Sequence, residues 1–408
     1  MIRWITPFLG TAAAGSSDID ATIQIVDVRD LVDKHGNNTD AIRSKIDQGI
    51  ALLNGGHRVV ICCDYGISRS NSIAAGILSR HTTIPFDAAV REVRRATGED
   101  EIKLEPLNAV RAALMQQGSV PTVDGPRVLI TGGAGFIGSA LQKALKGAAF
   151  NIAPSRADAD LSAGALALDL LVKENRINTL VHLANPRVYT SARATGDTVT
   201  MLRNALDVCR ENGLRLVYLS GWEVYSGYRS TDLLADETLP ILPKGPYGEA
   251  KMLCEALISH YRLLYQIDAT ILRSSPVYGL GSDRPKFIYN FLNKALVGGP
   301  IHTHAYLNGS PRLDLLHIDD LTAALVAIAN SNASGDYNVG TGHLTSTLDI
   351  ASAIVEKTHS KSKIVQQQIA DHAPNIRMDY TRARKDFGWS PKISILVGLD
   401  PIITRGRA

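Results

Sequence analysis

Long apolar runs are missing from this 408-residue chain. A helix that crosses a bilayer needs about 18 or more of them in succession, so no membrane partner is expected. Strong charge of either sign is missing as well. With 43 Lys and Arg against 40 Asp and Glu, the net charge of +3 argues against nucleic acid or an anionic membrane surface as a partner. Cysteine is scarce. Cys62, Cys63, Cys209 and Cys254 have neither the paired spacing of metal ligands nor that of a disulfide framework, and His302, His304 and His317 add no metal motif, so no metal is assigned. The start Met1-Ile2-Arg3-Trp4 lacks the apolar core of a signal peptide, which points to a cytoplasmic protein. Repeats and low-complexity tracts are not evident. What is present, 45% apolar and 20% charged residues, is the make-up of an ordinary globular protein long enough for two domains.

A Gly- and Pro-containing segment, Gly118 to Pro126, separates a helical run from a new strand. It divides the chain into a domain at 1–117, a linker at 118–126 and a domain at 127–408. In the first, Val59-Val60-Ile61-Cys62-Cys63 reads as a buried strand and Asn71–Arg80 as a helix, with Cys63 and Arg69 enclosing five residues between them. Such a turn aims backbone N–H groups and the positive end of a helix at one spot, where a phosphate dianion fits. The same field favours a thiolate at Cys63, while the fork of Arg69 suits two phosphate oxygens and the Ser70 hydroxyl suits a departing thiolate.

These residues resemble the dual-specificity branch of the protein tyrosine phosphatases over roughly residues 1 to 115, whose loop reads His-Cys-x5-Arg-Ser. The resemblance implies a cysteine-phosphatase-like α/β domain, a phosphorylated substrate, Cys63 as nucleophile, and a general acid upstream. Asp33, 30 residues before Cys63 with a helical segment Thr39–Leu53 between, is the first choice and Asp30 the second. The family's histidine is replaced by Cys62, which bears on catalytic rate more than on phosphate binding.

The second domain opens with Arg127-Val128-Leu129-Ile130-Thr131-Gly132-Gly133-Ala134-Gly135-Phe136-Ile137-Gly138, a strand running into a glycine turn and a helix over Ser139–Leu145. Gly132 allows the turn, Gly135 lets a pyrophosphate approach and Gly138 lets the helix pack on the strand. Thr179–Asn185 and Leu216–Ser220 read as further parallel strands, giving βαβ alternation and a doubly wound sheet. Tyr247 and Lys251 lie one turn apart on one helix face, where the lysine charge favours the phenolate.

Together with Arg273-Ser274-Ser275-Pro276-Val277-Tyr278-Gly279, Arg312 to Asp320, Tyr337-Asn338-Val339-Gly340 and Phe387-Gly388-Trp389, these segments resemble the extended short-chain dehydrogenase/reductases, the nucleotide-sugar epimerases and dehydratases. The resemblance implies a Rossmann-type doubly wound parallel sheet with a small substrate-binding subdomain, and a sugar or nucleotide-sugar substrate. It places Tyr247 and Lys251 in catalysis, and Gly132, Gly135, Phe136, Ile137, Gly138, Arg156, Asp160, Leu161, Ala184 and Lys251 at the cofactor. Arg156, after the second strand, leans towards NADP over NAD. Asp160 is read either as an adenine contact or as the cap of a helix starting at Ser162. The family's catalytic Ser or Thr is replaced by Gly221, leaving Ser220 as a substitute, while Glu223 stands where sugar dehydratases carry a glutamate and Trp222 replaces their aspartate. Pro276 replaces a substrate-binding asparagine, and Arg312 is read as a substrate-phosphate ligand or as the partner of Asp319 or Asp320. The expectation is thus an NAD(P)-dependent epimerase, dehydratase or reductase fused to a phosphatase, with a homodimer left open. The alternatives are a dinucleotide sensor controlling the phosphatase and a phosphate-binding module with little turnover.

Overall fold

The computed structural model describes residues 1–34, 36–99, 102–115, 125–186, 191–229, 232–282 and 284–407. The chain divides into two units, Met1–Val123 with Tyr261–Gln266, and Asp124–His260 with Ile267–Ala408. Of the linker expected at 118–126, residues 118–124 lie outside the described residues.

The first unit runs β1 (Arg3–Trp4), β2 (Leu9–Ala13), β3 (Ile23–Asp27), α1 (Thr39–Asn54), β4 (Arg58–Cys63), α2 (Arg69–Thr82), α3 (Phe86–Thr97) and α4 (Leu104–Met115). Its sheet has the order β1-β2-β4-β3, with β2, β4 and β3 mutually parallel and β1 antiparallel. β4 is buried from Val59 to Cys63. A strand covered on both faces needs an unbroken apolar run rather than an alternating one, and Val59-Val60-Ile61 supplies it. The Asn38 side chain accepts the N–H groups of Asp40 and Ala41, which fixes the start of α1. α1 then packs Ile42 and Ile46 with Ile61 of β4 and Ile73 and Ile77 of α2 in one core.

The main sheet of the second unit and its helices comprise β5 (Arg127–Thr131), α5 (Phe136–Leu145), β6 (Phe150–Ile152), α6 (Leu166–Glu174), β7 (Thr179–His182), α7 (Ala192–Asn212), β8 (Arg215–Gly221), α8 (Pro246–Tyr265, in this unit up to His260), β9 (Ala269–Ser274) and β10 (Gly335–Val339). All six strands are parallel, in the order β10-β9-β8-β7-β5-β6. The chain leaves β5 for β6 on one side and comes back to β7 on the other, so a switch point opens at the carboxyl ends of β5 and β7, where ligands of such sheets bind. The helix expected from Ser162 begins instead at Leu166. A second core, built on Tyr278, Ile288, Phe291, Ile301, Ile354 and Leu399, gathers the helices Lys286–Leu296, Thr347–Thr358 and Ile395–Arg407 into the smaller subdomain.

Candidate functional site

In the first unit β4 ends at Cys63 and α2 begins at Arg69, so residues 64–68 make a turn around the sulfur. The Gly66 N–H donates to Cys63 Sγ at 3.1 Å, and Ser70 Oγ lies 3.4 Å from it. Gly66 has φ +69°, and a Cβ there would sit 2.5 Å from backbone atoms of Ala12 and Ala13, so the turn presses on β2 as only glycine permits. Burial pushes the Cys63 thiol up, but hydrogen bonds from the Ser70 hydroxyl and from the N–H groups of Ser70, Tyr65 and Gly66 outweigh it and hold the thiol below its ordinary value. Cys62 belongs to a separate cluster from Cys63, and burial pushes it up to about 11, so it stays a neutral thiol.

Arg69 is 8% exposed. Its Nη1 donates to the carbonyls of Leu31 at 2.9 Å and Arg29 at 3.3 Å. The opposite edge of the fork meets carboxylates: Nη2 pairs with Asp64, and Nε lies 3.6 Å from Asp33. Nε and Nη2 form the edge with which a guanidinium grips an oxyanion, so two carboxylates hold it where phosphate oxygens would sit. Asp33 is further 3.5 Å from Lys103 Nζ, while Asp30 pairs with Lys45 at 3.2 Å. Of the two expected acids, Asp33 is the one that adjoins Arg69.

In the second unit a cleft of 1310 Å³ lies at the carboxyl ends of the strands, lined by Gly132 and Gly135 to Gly138 after β5, Leu183 and Asn185 after β7, Gly221 to Glu223 after β8, Ser274 to Val277 after β9, and Tyr247 and Lys251 of α8. Gly132, at φ +73°, would place a Cβ 2.8 Å from the Ala184 N, so the ends of β5 and β7 close on each other there. Gly138 likewise brings the first turn of α5 against Gly132 and Gly133. That leaves the N-terminus of α5 in the cleft wall. Lys251 Nζ donates to Leu219 O at 2.8 Å and to the Tyr218 hydroxyl at 3.2 Å, and lies 5.6 Å from the Tyr247 ring centre. Burial lowers the Lys251 pKa, while Cys254, Glu223 and Glu255 pull it back up.

Three of the expected residues are engaged in, or surrounded by, contacts within the chain itself. Ser220 lines the cleft, but its hydroxyl donates to Glu255 at 2.5 Å, and Glu255 is itself gripped by Arg273 at 2.8 Å, so that hydroxyl is engaged in a buried network. Arg312 does not line the cleft, nor does it pair with Asp319 or Asp320: Asp320 accepts the N–H groups of Lys392 and Ile393, and Asp319 lies beside His317. Arg156 and Asp160 form an exposed pair at 3.0 Å outside the cleft lining, and Asp160 caps a turn at Ser162 rather than a helix. Leu161 is buried, its carbonyl accepting from Asn204 at 2.7 Å, and Ala184 touches the site through its backbone at Gly132.

The sequence reading missed Arg284 and Arg405, which also line the cleft. Arg405 comes from the last helix, far along the chain, and no local pattern marks it. Asn185 and Ser275 were noticed only as parts of segments. Asn185 Oδ1 and Ser275 Oγ are buried without a hydrogen-bond partner among the described residues, and both residues line the cleft. The glycine cradle at Gly132 and Gly138 and the helix N-terminus together fit a dinucleotide with its pyrophosphate.

The model of the NAD dependent epimerase/dehydratase family matches residues 128–340. UDP-glucose 4-epimerase of Mycolicibacterium smegmatis is 29% identical over 316 residues, 67% of this chain and 96% of the relative. UDP-glucuronic acid decarboxylase 1 of Danio rerio is 25% identical, over 69% of this chain and 72% of the relative. Among solved structures, the Thermus thermophilus UDP-glucose 4-epimerase complex with NAD superposes with a TM-score of 0.60 at 24% identity, covering 69% of this chain and 99% of that one. RMD from Pseudomonas aeruginosa complexed with NADPH gives 0.61 at 21% identity, with 69% and 98% covered. These two superpositions bear on the fold alone.

Proposed function

The chain belongs to the NAD dependent epimerase/dehydratase family, and on that premise we propose that its second unit is an NAD(P)-dependent enzyme that oxidises and re-reduces a sugar carbon of a nucleotide sugar. The observation that carries this reading is the Tyr247 and Lys251 pair in the wall of the cleft at the switch point. When bound, the nicotinamide supplies the hydride acceptor and donor. Gly132 and Gly135 and the α5 N-terminus would hold the pyrophosphate. Tyr247 takes the proton from the substrate hydroxyl and returns it, and buried Lys251 holds it in place from one turn along α8. The names of the relatives supply the panel of substrates: UDP-glucose, UDP-glucuronic acid and UDP-N-acetylglucosamine.

The test is to identify any dinucleotide that co-purifies and then to follow nicotinamide absorbance and product with each sugar nucleotide. Turnover lost in Tyr247→Phe, by about 10³-fold or more, supports the reading. Dinucleotide binding without turnover of any panel member favours a sensor instead.

For the first unit, we infer a cysteine-dependent phosphatase. The support is that Cys63, a thiol held below its ordinary value, and the Nε and Nη2 edge of Arg69 lie at one turn, with Asp33 beside that edge. Cys63 Sγ attacks phosphorus while Arg69 binds the equatorial oxygens once Asp64 gives way; the ester P–O bond breaks as Asp33 protonates the leaving oxygen, and water then cleaves the cysteinyl phosphate to inorganic phosphate, with Ser70 stabilising the departing thiolate. Hydrolysis of a small aryl phosphate tests it. Phosphate binding without hydrolysis would mark a binding module.

A further inference from the structure

The cleft of the second unit contains an acid, Glu223, to which the oxidation and re-reduction of a sugar carbon by Tyr247 and Lys251 give no role. Gly221 ends β8, and a Cβ built on it runs into Oε2 of Glu223, so the Glu223 carboxyl fills the space that a side chain at 221 would take. The turn over 222–225 folds Glu223 back in this way, and Gly248 of α8 keeps it there, since a Cβ at 248 would lie 2.5 Å from the Glu223 carbonyl oxygen. Two glycines on different elements thus make room for one carboxyl group. Glu223 is the one carboxyl among the described residues that line the cleft. Its ionisable companions there are Tyr247 and Lys251 of α8, Arg284, Tyr289 and Arg405.

We propose that Glu223 takes over the work of the hydroxyl missing at Gly221, its carboxylic acid donating a hydrogen bond to the substrate oxygen whose proton Tyr247 removes and returns. The proposal rests on the nucleotide-sugar reading of this cleft. In the oxidising direction a bound oxidised nicotinamide would accept the hydride, the hydroxyl proton passes to the Tyr247 phenolate, and Glu223 keeps its own proton. In the reducing direction Tyr247 gives its proton to the developing alkoxide, and Glu223 stabilises that charge without being consumed. The donor must be protonated to act. Burial raises Glu223 to about 7, against the opposing charge of Lys251, so a large share of it carries a proton at neutral pH. An ordinary surface glutamate would be ionised there and could only accept.

The test compares Glu223→Ala, Glu223→Gln, Gly221→Ser and the exchange Gly221→Ser with Glu223→Ala, using full-length protein and whichever panel sugar nucleotide the wild type turns over. Glu223→Ala is expected to lower kcat about 10²-fold, the cost of one lost oxyanion donor. The exchange variant should recover about tenfold or more of that loss. Gly221→Ser alone should slow the enzyme, because the new side chain displaces the carboxyl. Wild-type kcat should fall as pH rises through about 7, as the donor ionises. Glu223→Gln, whose amide donates at any pH, should keep more activity than Glu223→Ala and lose that limb. Near-wild-type kcat in Glu223→Ala, or the same alkaline limb in Glu223→Gln, overturns the proposal. A readout without turnover separates its failure from that of the reading it rests on. The infrared carbonyl band of a protonated carboxyl, present below about pH 7, lost above it and absent from Glu223→Ala, supports the donor. A Glu223 already ionised well below that pH overturns it, even if no panel member reacts.

Discussion

The Cys63 turn and the Gly132 cleft start from the same device, a buried parallel strand that ends in a glycine turn and feeds a helix N-terminus, yet they treat charge in opposite ways. In the first unit every charged group at the turn is matched by the chain itself: Arg69 by Asp64 and Asp33, and the Cys63 sulfur by the Gly66 N–H and Ser70. Ionic forms are favoured there. In the second unit Lys251 and Glu223 line a large cleft with burial as the main influence on each, and burial drives both towards neutrality. The lesson is that a glycine turn fixes where a ligand phosphate can sit, whereas the surroundings decide whether the neighbouring groups act as ions or as proton donors and acceptors.

The largest effect that could break this contrast comes from Cys63→Ser. It should cut aryl phosphate hydrolysis by about 10⁴-fold or more, since the hydroxyl is not ionised by the hydrogen bonds that favour a thiolate. Sugar-nucleotide turnover should be unchanged in the same sample. Residual hydrolysis near wild type would remove the turn from the chemistry. Next comes Asp33→Asn, expected to slow hydrolysis of esters with poor leaving groups by about 10²-fold and to spare good ones, because only poor leaving groups need protonation. If Asp30→Asn gives that pattern instead, the ion pair of Asp33 with Arg69 is structural. A smaller effect should appear in stability. Glu223 is raised from 4.5 to about 7 by burial, so the folded state holds a proton that the unfolded chain releases. Stability from this group is greatest below about pH 4.5 and falls as pH rises to about 7, by roughly 3 kcal/mol. Urea midpoints across that range should flatten in Glu223→Gln, and an unchanged slope would place the carboxyl in water. The smallest effect is expected at Arg156, where the exposed pair with Asp160 weakens its hold on a ligand. Arg156→Glu should shift the NADP to NAD ratio of dissociation constants by about tenfold towards NAD, because it removes a phosphate partner and adds an acceptor for a ribose hydroxyl. An identical ratio would assign cofactor choice elsewhere.

Much of the architecture was legible because it depends on short-range patterning. The apolar run Val59 to Cys63, the glycines at 132, 135 and 138, and the Tyr247 and Lys251 spacing each specify a local shape that packing then preserves. The substitution at Gly221 was visible too, but its consequence was not. Neighbouring residues on a strand face opposite sides of the sheet, so Ser220, adjacent in sequence, turns to Glu255, 35 residues away, while the carboxyl two residues beyond Gly221 folds back over it. The ion pair expected between Arg312 and Asp320 is absent for a related reason: a motif position gives a side chain's place in the chain, and Asp320 is held by the N–H groups of Lys392 and Ile393.

Two strand–glycine–helix turns, one with a cysteine and an arginine at its ends and one with a tyrosine and lysine on a helix nearby, follow from the residues alone, because such shapes obey steric and periodic rules acting over a few residues. Long-range packing is what turns the Nε and Nη2 edge of Arg69 to carboxylates, engages the Ser220 hydroxyl with Glu255 and puts Glu223 in the space at Gly221. Those outcomes depend on contacts between distant segments and on how far water is excluded from each group, and desolvation is a property of the packed surroundings that no local run of residues carries.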